Sequence, residues 1–185
     1  MKKGKFIIIS GPSGVGKGTI CNVLLNDLNA WYSVSMTTRG IREGEVDGVN
    51  YFFISKDEFK KRIEDGQLLE YNIYNDNYYG TPKDKVLEKL EEGIDVILEI
   101  EVNGARNIKK IFPDAVLIYI APPSLEVLRD RLIGRGTEDI ETIERRLKIA
   151  EDELRQVDFY DYVVVNDDLD KAINDVKTII TNEIK

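Results

Sequence analysis

The 185-residue sequence contains no histidine. That absence excludes a Ser-His-Asp triad, imidazole acid–base catalysis and histidine-ligated zinc. There is one cysteine, Cys21, so no internal disulfide can form and a reducing compartment, the cytoplasm, is expected. Long apolar runs are also missing. The N-terminal MKKGKFIIIS has only Phe6–Ile9 in unbroken apolar sequence, too little for a signal peptide or a membrane span, and predicts a buried strand. Basic charge is in deficit: 26 Lys and Arg stand against 34 Asp and Glu, a net charge of −8. Such a chain binds nucleic-acid backbones poorly, so any anionic ligand needs a local basic cluster. Chemistry is left to lysine, arginine, carboxylates, hydroxyls, backbone amides or an oxygen-held metal. The hydrophobic share of 42% suits one or two small domains with a real core.

Four β-rich runs are present, at 6–10, 95–102, 115–121 and 162–166. Helical patterns at 17–28, 103–112, 124–133 and 169–184 alternate with them. The alternation predicts an α/β fold: a doubly wound parallel sheet core flanked by helices. In the last helix Leu169, Ala172, Ile173, Val176, Ile179, Ile180 and Ile184 form one apolar stripe. Residues 140–157 predict a packed surface helix. Residues 32–94 break the rhythm and are dense in tyrosine. Strand-like YFFI and LLEYNIY surround a helix opened by a capping box, Ser55 with Glu58. A second helix is expected to start with Thr81 as N-cap and Pro82 at the first position, and to stop at Gly93. This segment reads as a subdomain inserted into the sheet domain.

Residues 11–19, GPSGVGKGT, nearly match the phosphate-loop pattern G-x-x-x-x-G-K-[ST]. Gly11, Gly16 and Lys17 fit; Gly18 stands where a hydroxyl belongs, and Thr19 brings it one residue late. With Pro12, Ser13, Gly14 and Val15 these residues form a candidate ATP-binding loop. Its backbone N–H groups and the following helix N-terminus would hold phosphate. The alternative is a Gly-rich turn with a solvated lysine, which the flanking strand and helix argue against. Thr19, about 100° further around the helix, is placed to face the α- and β-phosphates. Mg2+ is then expected to be held mainly by phosphate oxygens and water, with no directly bound protein ligand assigned.

Arg39 and Arg42, three apart in a Gly-containing segment, could clamp a phosphate, or pair with Glu43, Glu45 or Asp47. Tyr51 and Tyr79 could complete a cradle or simply pack. At this point SVSMTTRGIREGEVDGVNYFF, EYNIYNDNYYGTP, IAPPS, RLIGRGTED and VVNDDLDKA together resemble guanylate kinase, in order and over essentially the whole chain. The resemblance implies the P-loop nucleoside monophosphate kinase fold. It implies transfer of the γ-phosphate of ATP to GMP, giving ADP and GDP, with Mg2+, in purine nucleotide supply.

By that resemblance Arg39, Arg42, Tyr51 and Tyr79 hold the GMP phosphate, while Glu70, Ser35 and Thr81 read the guanine. Glu101, with Glu99 nearby, lies by the metal's water shell and the guanine amino group. Here the sequence departs from the family, which usually has Asp at 101 and commonly Gln at 103. Lys17, Arg131, Arg135 and Arg146 surround the transferred phosphoryl, and Asn166 contacts adenine or instead caps the next helix. For the arginines, pairing with Asp130, Glu138 or Glu141 is the alternative; Arg129 and Arg145 read as such surface pairs. The implied division is a core of 1–34, 95–130 and 147–185, a GMP-binding subdomain 35–94 and a lid 131–146. The base assignment also stands on its own chemistry. Guanine offers N1–H and N2–H2 to one carboxylate and O6 to hydroxyl donors, whereas adenine presents an acceptor at N1. Two alternatives compete: a non-catalytic guanylate-kinase-like interaction module, and a kinase for another nucleoside monophosphate. Intact Lys17 and lid arginines speak against the first, and Glu70 with its hydroxyls against the second. No nucleic-acid or membrane partner is expected; the oligomeric state is left open.

Overall fold

A computed structural model describes residues 2–74, 76–136 and 139–184. Glu138, and residues 137–138 of the expected lid, lie outside the described residues. In chain order the elements are β1 (Phe6–Ser10), α1 (Lys17–Asp27), β2 (Ala30–Tyr32), β3 (Met36–Thr37), β4 (Phe52–Phe53), α2 (Lys56–Glu64), β5 (Leu68–Tyr74) and β6 (Asn77–Pro82). There follow α3 (Lys83–Glu91), β7 (Asp95–Glu99), α4 (Val102–Ile111), β8 (Val116–Ala121), α5 (Leu125–Gly134), α6 (Ile140–Leu154), β9 (Tyr162–Val165) and α7 (Leu169–Ile184).

β1 lies at the centre of a five-stranded sheet of order β2-β7-β1-β8-β9, every pair parallel. Its continuous apolar run is explained by burial on both faces. Ile7 and Ile9 point, with Ile97, Ile118 and Ile120, into a core closed by α1, α5, α6 and α7. Phe6 and Ile8 point, with Leu98, Leu117 and Tyr119, into a second core closed by α3 and α4. Ile8 sits in register between Leu98 and Leu117. A smaller mixed sheet of order β4-β3-β6-β5 takes all its strands from residues 36–82.

Several local expectations are corrected. The run 95–102 is a strand only to Glu99, because Glu101 turns outward as N-cap of α4 and its carboxylate accepts from Asn103 N and Gly104 N, each at 2.8 Å. Residues 30–32 form a sheet strand that their mixed composition hid. Thr81 is not a helix cap: it and Pro82 end β6, and α3 starts at Lys83. Ser55 does cap α2, accepting from Glu58 N, but the Glu58 side chain pairs with Arg62 (2.8 Å) rather than reaching back. Leu169 leaves the apolar stripe of α7 and is 39% exposed, while Ala172, Ile173, Val176 and Ile180 are buried as expected.

Candidate active site

The loop from Gly11 to Lys17 joins the C-terminal end of β1 to α1, where open parallel sheets place ligands. Gly16 caps α1 in a left-handed conformation (φ 102). A Cβ there would come within 2.7 Å of Asn166 Nδ2, so backbone shape and a close approach both demand glycine. No acidic residue occupies the first turn of α1, leaving its positive end free of a competing carboxylate. Lys17 Nζ folds back on the loop, donating to Gly11 O (2.7 Å) and Pro12 O (3.1 Å). Gly14, Val15, Gly16 and Thr19 line one cleft with Arg131, Asn166, Asp167 and Leu169.

Asn166 is buried at the end of β9, its Nδ2 donating to Val15 O (2.8 Å). Its Oδ1 is buried without a hydrogen-bond partner. It does not cap α7: Asp168 does, accepting from Lys171 N (2.8 Å). Arg131 donates to Asn166 O (2.9 Å), and Arg146 reaches across from α6 to Ser13 Oγ. Arg135 stands exposed at the end of α5. Arg129 pairs with Glu144 (2.8 Å), a surface bridge as expected, while Arg145 donates to Thr142 Oγ1.

Across the cleft the small sheet gathers three residues of the expected cradle. The Tyr51 and Tyr79 rings are 6.0 Å apart, and the Arg39 guanidinium lies 5.5 Å from the Tyr51 ring centroid and beside the Tyr79 hydroxyl. Tyr78 turns away and packs on Phe59 at 5.2 Å. Arg39 forms a two-pronged bridge to Glu45 at 2.7 and 2.9 Å, one of the pairings open from sequence. Glu45 also accepts from Arg42 N (2.8 Å), and the Arg39 hydrogen bonds hold its carboxyl below the usual range. Arg42 itself is exposed. The Tyr51 phenol is pushed up to about 12, first by burial and then by the charge of Glu99.

Glu99 connects the two halves. Its Oε2 lies 3.7 Å from where a Cβ would stand on Gly18, and burial and then the Glu99 charge push the Tyr32 phenol up. Among the described residues no three Cys, Asp or Glu side chains gather into a metal cage. A hard carboxylate beside the loop suits a Mg2+ ion that keeps most of its water.

Glu70 is buried at the inner end of β5 and accepts from Thr81 Oγ1 at 2.7 Å. Burial pushes its carboxyl up to about 7; the Thr81 bond pulls the other way and nearby Glu101 adds to the rise. Ser35 stands half-buried just before β3, its carbonyl accepting from Phe52 N. Glu101, besides capping α4, accepts from Asn72 Nδ2 (2.9 Å). Asn72 was missed from sequence, yet it lies two residues beyond Glu70 on one strand, where alternate residues share a face. Gly104 was also missed: a Cβ there would meet Ile100 Cδ1 at 2.3 Å and Glu70 Oε2 at 3.0 Å.

The sequence matches the family described as Guanylate kinase over residues 3–183. It is 54% identical over 183 residues to the guanylate kinase of Oceanobacillus iheyensis, covering 98% of this chain and 89% of that one. It is 52% identical to that of Shouchella clausii at the same coverage, and 51% to that of Halalkalibacterium halodurans, covering 98% and 90%. The crystal structure of guanylate kinase from Anaplasma phagocytophilum superposes with a TM-score of 0.84 at 32% identity, over 98% of this chain and 87% of that one. A strand–loop–helix phosphate site facing a tyrosine–arginine cradle thus coincides with sequence and structural likeness along almost the whole chain, which belongs to the guanylate kinase family of nucleoside monophosphate kinases.

Proposed function

We propose that this chain transfers the γ-phosphoryl group of ATP to GMP across the gap bridged by Glu99. The observation that carries this reading is the position of Glu99 beside Gly18 of the donor loop while its charge is felt by Tyr51 of the acceptor cradle. On ATP binding, Lys17 exchanges its bonds to Gly11 O and Pro12 O for phosphate oxygens, so little reorganisation is needed. The orphan Oδ1 of Asn166 suits the exocyclic amine of adenine as donor. Arg131, Arg135 and Arg146 supply positive charge around the migrating phosphoryl, on a lid at 131–146. Arg39, Arg42, Tyr51 and Tyr79 hold the GMP phosphate; Glu70 takes guanine N1–H and N2–H2, and Ser35 and Thr81 serve O6.

Glu99 and Thr19 would hold the water shell of a Mg2+ ion bound with the nucleotide, which would neutralise phosphate charge there. The Glu101 carboxylate is engaged by Asn72 and the start of α4, so its contribution at the guanine amino group is to fix the pocket beside Glu70. The setting we assign is cytoplasmic purine nucleotide supply; among the described residues no helix is long and apolar enough to cross a membrane.

The test is a coupled assay with ATP and AMP, GMP, UMP or CMP in turn. ADP release is expected with GMP and at least a hundredfold less with the others, since unpaired buried polar groups reject a wrong base by roughly 10⁴-fold or more at best. Absence of GMP-dependent ADP release would overturn the reading.

A further inference from the structure

Gly104 sits in the first turn of α4, buried and without a left-handed backbone angle that would require glycine. Glycine is a poorer helix former than alanine, so its presence here has a steric reason. A Cβ on Gly104 would meet Ile100 Cδ1 at 2.3 Å, Ile100 Cγ1 at 2.6 Å and Glu70 Oε2 at 3.0 Å. The Ile100 atoms belong to the tip of a half-buried side chain, which can turn aside. The Glu70 carboxylate has no such freedom. It is buried, and its other oxygen, Oε1, accepts from Thr81 Oγ1 at 2.7 Å.

Hydrogen bonds fix Gly104 against that carboxylate. Glu101 Oε1 accepts from Gly104 N at 2.8 Å and from Asn72 Nδ2 at 2.9 Å. Asn72 lies on β5 two residues beyond Glu70, where alternate residues share a face. The contacts therefore close into a ring. Glu70 and Asn72 stand on one strand, and Glu101 and Gly104 at the start of one helix. A hydrogen bond joins strand to helix at Asn72, and the missing side chain of Gly104 lets Glu70 Oε2 come up to the helix.

The two oxygens of Glu70 are thus inequivalent: Thr81 marks the Oε1 side and Gly104 the Oε2 side. The edge of guanine carries O6, N1–H and the 2-amino group in that order. With O6 at Thr81, N1–H falls at Oε1 and the 2-amino group at Oε2, beside Gly104. We propose that Gly104 is a positioning residue for base selection. Held through Glu101 and Asn72, it leaves the room in which Glu70 Oε2 meets the 2-amino group, and so makes the site prefer guanine over hypoxanthine, which has the same O6 and N1–H but no amino group. This role depends on Glu70 and Thr81 reading the base, as proposed above.

Calorimetric Kd values of the full chain for GMP and for inosine monophosphate test it. Ile100→Ala clears the other contact and is the reference; Gly104→Ala is then added to it. The added methyl displaces Oε2 alone. GMP binding is expected to weaken by about tenfold relative to the reference while inosine monophosphate stays within about twofold, because one hydrogen bond to a charged group is lost and only GMP makes it.

A double variant that keeps the reference preference for GMP overturns the proposal. So does an equal loss for both nucleotides, which marks a general distortion of the pocket. If the double variant does not fold, Asn72→Ala in the otherwise unchanged chain decides. A loss of GMP affinity about threefold or more greater than that of inosine monophosphate supports the proposal, and equal losses or none overturn it. Glu70→Gln, measured alongside, separates this inference from the reading beneath it. An unchanged preference in Glu70→Gln removes Glu70 from the base and the base assignment with it. A lowered preference there, beside an intact one in the Gly104 variant, removes only Gly104.

Discussion

Burial pushes the Glu70 carboxyl up to about 7, and the guanine recognition proposed for it needs the ionised form. The sign of two pH effects follows. The folded state binds the Glu70 proton more tightly than the unfolded chain, whose carboxyl titrates near 4.5. Stability from this group is therefore lost as pH rises from about 4.5 to about 7. GMP affinity moves the other way, improving with pH up to about 7 and levelling above it. Glu70→Gln should flatten that dependence, isolating it from titration of the GMP phosphate, and should erode preference for GMP over AMP. Calorimetric Kd values between pH 5.5 and 8.5 check this; an identical slope in the variant would remove Glu70 from the base site. Arg39 invites a second measurement. Its bridge to Glu45 preorients the guanidinium beside Tyr51 and Tyr79. A charged hydrogen bond contributes about 1.5–3 kcal/mol, so Arg39→Ala should raise GMP KM by roughly ten- to hundredfold and leave ATP KM nearly unchanged.

At the scale of single elements, β1 was legible because both its faces are buried: its five residues have no exposed side chain, and the first four read as one apolar run. Ile8, wholly buried between Leu98 and Leu117, makes the strand sensitive to truncation. Ile8→Ala should cost about 2–5 kcal/mol in chemical denaturation, with no change in the pH dependence of GMP binding. Element ends were less legible, because capping decides them. Glu101 stops β7 by bonding the first amides of α4, and Thr81 stays in β6 because its hydroxyl serves Glu70. Thr81 read as a helix cap from the sequence, and only the neighbouring strand gave its hydroxyl to Glu70. β2 was hidden for a related reason: three half-buried residues at a sheet edge leave no apolar run to read.

On the scale of the whole molecule, the proposed donor loop and acceptor cradle sit on different sheets, and Glu99 lies beside Gly18 of the loop. Water must be kept from ATP until GMP arrives, so closure of the 35–94 and 131–146 segments over the substrates is expected. Small-angle scattering should show a smaller radius of gyration with GMP plus a non-hydrolysable ATP analogue than with either alone; equal radii in all states would argue against closure.

Of this protein, the sequence by itself determined the phosphate loop, the parallel sheet around it and the order of the acceptor motifs. Each is written locally, in glycine spacing, unbroken apolar runs and hydroxyl or charged residues at short intervals. Only the tertiary structure decided the pairings that span elements: Thr81 with Glu70, Asn72 with Glu101, and Glu99 beside Gly18. The physical reason is that a carboxylate's charge and partners depend on what is buried against it, and residues 29 or 81 positions apart in the chain become neighbours only once the sheet has formed.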